Sequence, residues 1–325
     1  MKVERVRAYL RYVGLLLLLG LLYSIDVTQA SAILTSMDPR WFVVAALCHA
    51  AFTFFKSIRW HALLAAQGVE YPLGRAIAVY HAGSFFSLIT PGRIGDVIKI
   101  DYLKRDRGVP YRVGLSSVVV DRLLDLVLLA SSAFLGVSML GASVGVLQSL
   151  VLFTVLLAAV VALAKSDWAI PRMLGAMGRM PLVGRRVVTR AESIAHLHQE
   201  LQTLLSRRIL VPLLCSVASY AAIYYGSYAI AAAQGLHLTL LQVLYAISIT
   251  SIVSLIPVSV SGIGTRDLVM VAIFARFGLE SEQAIAFSLG YLLINIVFGN
   301  GVGAYYWFRE PRQKRHDLVE HLETS

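Results

Sequence analysis

Charge is scarce in this sequence. Only 15% of its 325 residues are Asp, Glu, Lys or Arg, against 58% that are hydrophobic. That balance excludes a soluble globular domain of average makeup, in which about 25% of residues are charged. Cysteine is nearly absent. Cys48 and Cys215 each lie in an apolar run with no Cys or His neighbour at metal spacing, so neither a disulfide framework nor a zinc site is indicated. Both read as packing residues. A phosphate-cradling P-loop and the glycine pattern of a dinucleotide fold are missing too, so ATP-driven pumping by this chain alone is not expected and no cofactor is called for. His196 and His198 stand two apart and fall on different faces of a helix, which argues against a metal pair.

What the sequence does have is length of apolar run. Stretches near 12 to 34, 41 to 64, 113 to 139, 142 to 164, 209 to 234 and 284 to 308 exceed the ~20 residues that cross a bilayer core. The expectation is an all-α polytopic protein with about six transmembrane helices, forming one integral membrane domain over residues 1 to 325. At the N-terminus, Ala30-Ser31-Ala32 resembles a signal cleavage site, but the apolar character continues through Ile33 and Leu34, and an uncleaved first span fits better. The formal charge of +10 is concentrated at 1 to 11, 93 to 112 and 165 to 208, whereas connections near 36 to 40, 140 to 143, 234 to 240 and 276 to 282 hold almost no positive excess. The positive-inside rule then puts both termini in the cytoplasm of a cell in whose inner membrane the chain is multi-pass. Because the basic residues flank spans without interleaved aromatics, the expected partner is the membrane and its anionic headgroups, with no nucleic acid.

Two further apolar stretches, 76 to 91 and 241 to 257, cannot cross fully without moving a basic loop to the wrong side. Each is expected to enter and return as a broken-helix hairpin, the first from the cytoplasm and the second from outside. Span, hairpin, span over 41 to 139 is then matched, inverted, by 209 to 308, and Ser84, Ser87, Leu88 and Ile89 align with Ser251, Ser254, Leu255 and Ile256. Inverted repeats with discontinuous helices place a transport site near the midplane, where the breaks meet. Residues 165 to 208 form the cytoplasmic linker. Within it, 186 to 205 carries Val187, Ala191, Ile194, Leu197, Leu201 and Leu204 at helical spacing and reads as an amphipathic helix along the membrane.

The hairpin tips combine helix breakers with charge. Pro91, Gly92 and Gly95 in the first, and Pro257, Gly262 and Gly264 in the second, allow a bend and a fresh helix start, whose unpaired N–H groups favour an anion. Thr265 reads as the N-cap of the second half-helix. Arg93 and Arg266 add a full charge at each tip, with Asp96 and Asp267 beside them. In "VVVDRLLDLVLL", Asp121, Arg122 and Asp125 lie inside a span, where each charge costs ~2.5 to 3.5 kcal/mol and so faces a partner or a wet cavity. Asp121 and Asp125 share a face. Lys56 and Arg59 fit either snorkelling to headgroups or substrate binding. Asn295 and Asn300 are positioned to bond across helices. His49 and His81 read as structural, and Tyr305, Tyr306 and Trp307 as an aromatic belt. The candidate substrate-binding set is Arg59, Arg93, Asp96, Asp121, Arg122, Asp125, Arg266 and Asp267, with Arg93, Arg122 and Arg266 converging on a lipid phosphate.

Arg59-Trp60, "PGRIGDVIK" at 91 to 99, Asp121-Arg122 and "PVSVSGIGTRD" at 257 to 267 together resemble the motif set of the flippase-like transmembrane domain of lysylphosphatidylglycerol synthases and their stand-alone relatives. The resemblance spans nearly the whole chain. Family members carry Glu where this chain has Asp96, Asp121 and Asp267, and Pro-Gly-Gly where it has Val-Ser-Gly at 260 to 262. The resemblance implies translocation of a polar lipid headgroup: an anionic or aminoacylated phospholipid, or a polyprenyl-phosphate lipid. It gives no aminoacyl-transfer domain here, so lysyl transfer does not follow. A membrane-embedded transferase on a lipid-linked sugar, with Asp96 or Asp267 as base, and a lipid-binding scaffold are the competing readings; short external loops favour transport. A homo-oligomer or a partner enzyme is compatible with each.

Overall fold

The computed structural model describes residues 32 to 33, 35 to 89, 95 to 140, 144 to 166, 191 to 255 and 264 to 309. Most of the first expected span, both termini, and Pro91, Gly92, Arg93, Pro257 and Gly262 lie outside the described residues. Among those described there are helices and turns and no strand. In chain order they are α1 (Pro39–Ala66), α2 (Leu73–Ile89), α3 (Ile98–Arg107), α4 (Tyr111–Leu140), α5 (Val144–Lys165), α6 (Ala191–Leu204), α7 (Leu210–Ala233), α8 (Leu240–Val253), α9 (Thr265–Arg276) and α10 (Ser281–Ile294). A π-helical segment, Asn295–Asn300, carries α10 directly into α11 (Gly301–Arg309).

Three of these stretches, Pro39–Ala66, Leu210–Ala233 and Ser281–Arg309, are long and apolar enough to cross a membrane. α4 has 30 residues, about 45 Å of helix, but holds Asp121, Arg122 and Asp125 in its middle. Around its apolar core the molecule also has an apolar exterior, and it buries charge. Leu47, Leu152, Val155, Leu214 and Val297 are exposed, while Lys56, Arg59, Lys99, Asp121 and Asp125 are buried. An apolar exterior with the charges withdrawn to the interior is what a hydrocarbon solvent selects.

Local chemistry sets the helix ends. Asp38 caps α1 by accepting from the Arg40 N–H at 2.9 Å, with Pro39 in the first turn. Thr239 and Gln242 form a reciprocal capping box at the start of α8. At α9 the N-cap is Gly264, at φ 82°, and not Thr265. The Gly264 N–H donates to the Asp267 carboxylate at 2.9 Å, so the carboxylate three residues on does the capping that a threonine hydroxyl was expected to do.

α2 and α3 form an antiparallel hairpin. At its open end Arg75 and Tyr71 reach Asp106; further in, the Lys99 ammonium lies 4.5 Å from the Tyr80 ring centre. Near the break Gly95 abuts the Phe86 backbone so closely that a Cβ would sit 2.2 Å from its carbonyl carbon. With 17 and 10 residues, the arms are about 25 and 15 Å long. The shorter is half a bilayer. α8 and α9 pack together likewise, and Tyr245 near the start of α8 meets Phe277 at the end of α9.

The two halves exchange partners. α1 packs along α7, the first hairpin's α2 packs on α11, and the second hairpin's α8 packs on α4. Both exchanged contacts use a glycine: a Cβ on Gly303 would lie 2.1 Å from the His81 carbonyl oxygen, and one on Gly136 2.6 Å from the Tyr245 Cβ. Small residues let helix backbones approach where lipid supplies no hydrophobic drive. Trp307 belongs to this core, edge-on to Phe86 at 4.6 Å, and is not a boundary residue, whereas Tyr305 is exposed. α6 packs against α4, α5 and α1, with Leu204 buried beside Leu63, Val120 and Leu124. Leu201 and Leu204 of its apolar edge are covered by the bundle.

Candidate functional site

The helical period places Lys56 and Arg59 side by side on α1, and Asp121 and Asp125 one turn apart on α4. The two pairs interlock. Arg59 donates from Nε to Asp121 Oδ1 at 2.8 Å and from Nη1 to Asp125 Oδ1 at 2.7 Å, and Nη1 also reaches Ser216 Oγ on α7 at 3.2 Å. Lys56 donates to the other Asp125 oxygen at 2.8 Å. Lys56 and Arg59 therefore turn inward, and neither snorkels to the boundary: the Arg59 side chain is 0% exposed and that of Lys56 10%.

The first hairpin adds the rest. Lys99 Nζ lies 3.3 Å from Asp121 and 3.5 Å from Asp96, against the faces of Tyr80 and Trp60. Asp96 is ion-paired with Arg122 of α4, whose Nη1 also lies 3.5 Å from Asp125. Among the described residues, four cations, Lys56, Arg59, Lys99 and Arg122, thus share three carboxylates, Asp96, Asp121 and Asp125, leaving one positive charge in excess. Taking either sign alone into this interior costs several kcal/mol per ion. Interlocked, each offsets the other, except for that remaining charge.

The excess faces a cavity. A space of about 90 Å³ is lined by His49, Phe52, Thr53, Lys56, Tyr80, Ser84, Ser87, Arg122, Asn295, Gly299 and Asn300. That is room for about three waters or one compact polyatomic group. Hydroxyls, amides and two cations dominate its wall, and none of the three carboxylates is among the lining residues. Donors plus net positive charge in a confined, low-dielectric space bind an anion. Asn295 and Asn300 bond to each other within the π segment, Asn300 Nδ2 to Asn295 Oδ1 at 2.8 Å, and not across helices. A π segment widens a helix by one residue per turn and recurs at functional sites; here it turns two amides and Gly299 toward the cavity.

Arg266 and Asp267 are not brought to this cluster. They pair at 2.9 Å, with Ser288 of α10 hydrogen-bonded to Asp267 and the Tyr291 ring 5.8 Å from the guanidinium carbon. The pair is electrically neutral and nearly buried. Convergence of Arg122 and Arg266 on one point is thus not the arrangement found, while Arg93 lies outside the described residues. The site's unanticipated members are Lys99, Ser84, Ser87 and His49. A lysine three residues after Asp96 in "GDVIKI" was the available signal, since a lone ammonium in an apolar run needs an anion.

At the open end of the hairpin, burial alone would raise the Asp106 carboxyl. Hydrogen bonds from Arg75 and Tyr71, with the Arg75 and Arg105 charges, outweigh it and hold Asp106 below the ordinary carboxylate value of 3.8. Burial, with the Asp106 charge, pushes the Tyr71 phenol up.

The family described as "Lysylphosphatidylglycerol synthase TM region" matches residues 10–303. The chain is 23% identical over 302 residues to "UPF0104 membrane protein PH1989" of Pyrococcus horikoshii, covering 85% of this chain and 89% of that protein. It is 27% identical over 117 residues to "Glycosyltransferase AglD" of Haloferax volcanii, covering 36% of this chain and 18% of that protein.

Proposed function

We propose that this chain, which belongs to the lysylphosphatidylglycerol synthase TM region family, moves a lipid with a phosphate-bearing headgroup between leaflets. The observation that carries the reading is the one-cation excess of the buried cluster at a cavity lined by donors. In this reading Lys56 and Arg122 meet the phosphate, which replaces Asp96 on Arg122, while Arg59 and Lys99 hold Asp121 and Asp125. Arg93 and the first tip, Pro91, Gly92 and Gly95, form the approach. Arg266 and Asp267 with the second tip, Pro257, Gly262 and Gly264, form the counterpart in the second half. The topology proposed with it has six spans, two re-entrant hairpins and an inverted repeat, with both termini cytoplasmic. The exchanged packing of α2 on α11 and α8 on α4 supports that symmetry.

The test is reconstitution in phosphatidylcholine vesicles with fluorescent phosphatidylglycerol, followed by reduction of the outer-leaflet label. Wild type should speed its equilibration, and Arg122→Ala should not. Equal rates for both would end the reading. The partial match to a glycosyltransferase favours a second cargo, a polyprenyl-phosphate sugar handled alongside a transferase; substituting that lipid in the same vesicles decides between the two.

A further inference from the structure

Beside the polar cavity runs an apolar groove. It has a volume of about 470 Å³ and is lined by Met37, Pro39, Phe42, Leu289 and Leu293, within the ~300–1,000 Å³ of sites that hold small ligands. Groove and cavity share one seam. Phe42, His49, Thr53 and Lys56 stand at i, i+7, i+11 and i+14 on α1, hence on a single face. On the last helix Leu289 and Leu293 stand one turn apart in α10, and Asn295, Gly299 and Asn300 of the π segment that follows line the cavity. Met37 lies beside Gly290, and His49 beside Gly299, so the two helices run in the same direction. Along that seam the wall changes once, from apolar to polar, between Phe42 and His49 on one side and Leu293 and Asn300 on the other. On α1 the change takes seven residues, about 10 Å.

Resting on the headgroup site proposed above, we infer that this groove is the acyl-chain subsite of the same lipid, which lies along the α1–α10 seam with its head between Lys56 and Arg122. The occupant is specified by the wall itself. A free anion would leave the groove unused, a neutral lipid would leave the excess cation unpaired, and an amphiphile of one polar and one apolar end matches both segments in order. The cargo must then enter sideways between α1 and α10, chain and head together.

The experiment uses the full chain in detergent with three probes: short-chain phosphatidylglycerol, glycerol phosphate and short-chain diacylglycerol. Leu293→Trp fills the groove without touching the cavity, and Leu289→Trp does so one turn earlier, should the first variant fail to fold. Either should weaken phosphatidylglycerol binding by about tenfold, the loss of roughly two methylenes of contact. Glycerol phosphate binding should be unchanged, and diacylglycerol binding should fall with that of phosphatidylglycerol. Undiminished binding of both chain-bearing probes to a folded variant overturns the acyl-chain subsite. Failure of wild type to bind glycerol phosphate better than Arg122→Ala overturns the headgroup reading instead, and the diacylglycerol comparison still judges the groove.

Discussion

At the scale of single residues, the cluster divides into groups that hold charge and groups that present it. Arg59 holds: it is fully enclosed and bonds to both α4 carboxylates. Arg59→Met should destabilise the fold by about 3–5 kcal/mol, because Asp121 and Asp125 lose their main partner in a place water cannot reach; unfolding in detergent measures this. Arg122 presents. Its side chain is 30% exposed and forks between Asp96 and Asp125. Arg122→Lys keeps the charge but not the planar fork, so stability should change little while lipid equilibration slows by about tenfold. Wild-type speed in a folded Arg122→Lys preparation would contradict the phosphate contact. Asp106 gives a pH dependence. Its carboxyl is lowered below 3.8 in the fold, so its contribution is present above the unfolded value and fades as pH falls through the folded one. Asp106→Asn should therefore lower the thermal midpoint at pH 7, and the gap to wild type should close toward pH 3; a gap independent of pH would place the effect elsewhere.

At the scale of elements, the first hairpin depends on close approach of its arms and of α11. Gly303 meets the His81 carbonyl directly. Gly303→Ala should cost about 1–3 kcal/mol, the range for overpacking a well-filled core, and should lower activity by shifting α2, which carries Ser84 and Ser87 into the cavity. Thermal denaturation together with the vesicle assay reads both. The π segment has a comparable place in the design. It turns Asn295, Gly299 and Asn300 toward the cavity, just beyond the stretch of α10 that carries Leu289 and Leu293 on the groove.

At the scale of the whole molecule, the exchanged packing of hairpins and closing helices ties the two halves together. The proposed inverted arrangement predicts that single cysteines at Asp101 and Leu279 are labelled by an impermeant maleimide from opposite sides of the membrane. Labelling of both from the same side would reverse one half and remove the symmetry, although the cluster geometry would stand.

The sequence by itself determined the class and many of the actors. Apolar run length and scarce charge dictate a helical membrane protein, since a lipid environment admits little else for such a chain. Asp121, Arg122 and Asp125 were conspicuous because intramembrane charge is costly, and the breaks between α2 and α3 and between α8 and α9 were legible from Pro and Gly interrupting apolar runs beside charges. Which cation meets which carboxylate was decided only by tertiary structure. Lys56 and Arg59 can face headgroups or core from the same sequence position, and only the packing of α1 against α4 and α7 turns them inward. Lys99 was hidden because its partners, Asp121 and Tyr80, come from two other helices, and pairing across elements leaves no mark in local spacing. Arg266 shows the converse. In the sequence it reads as a free charge at a tip, yet in the fold Asp267 pairs with it and Ser288 bonds to that carboxylate, an arrangement set by the packing of α9 against α10.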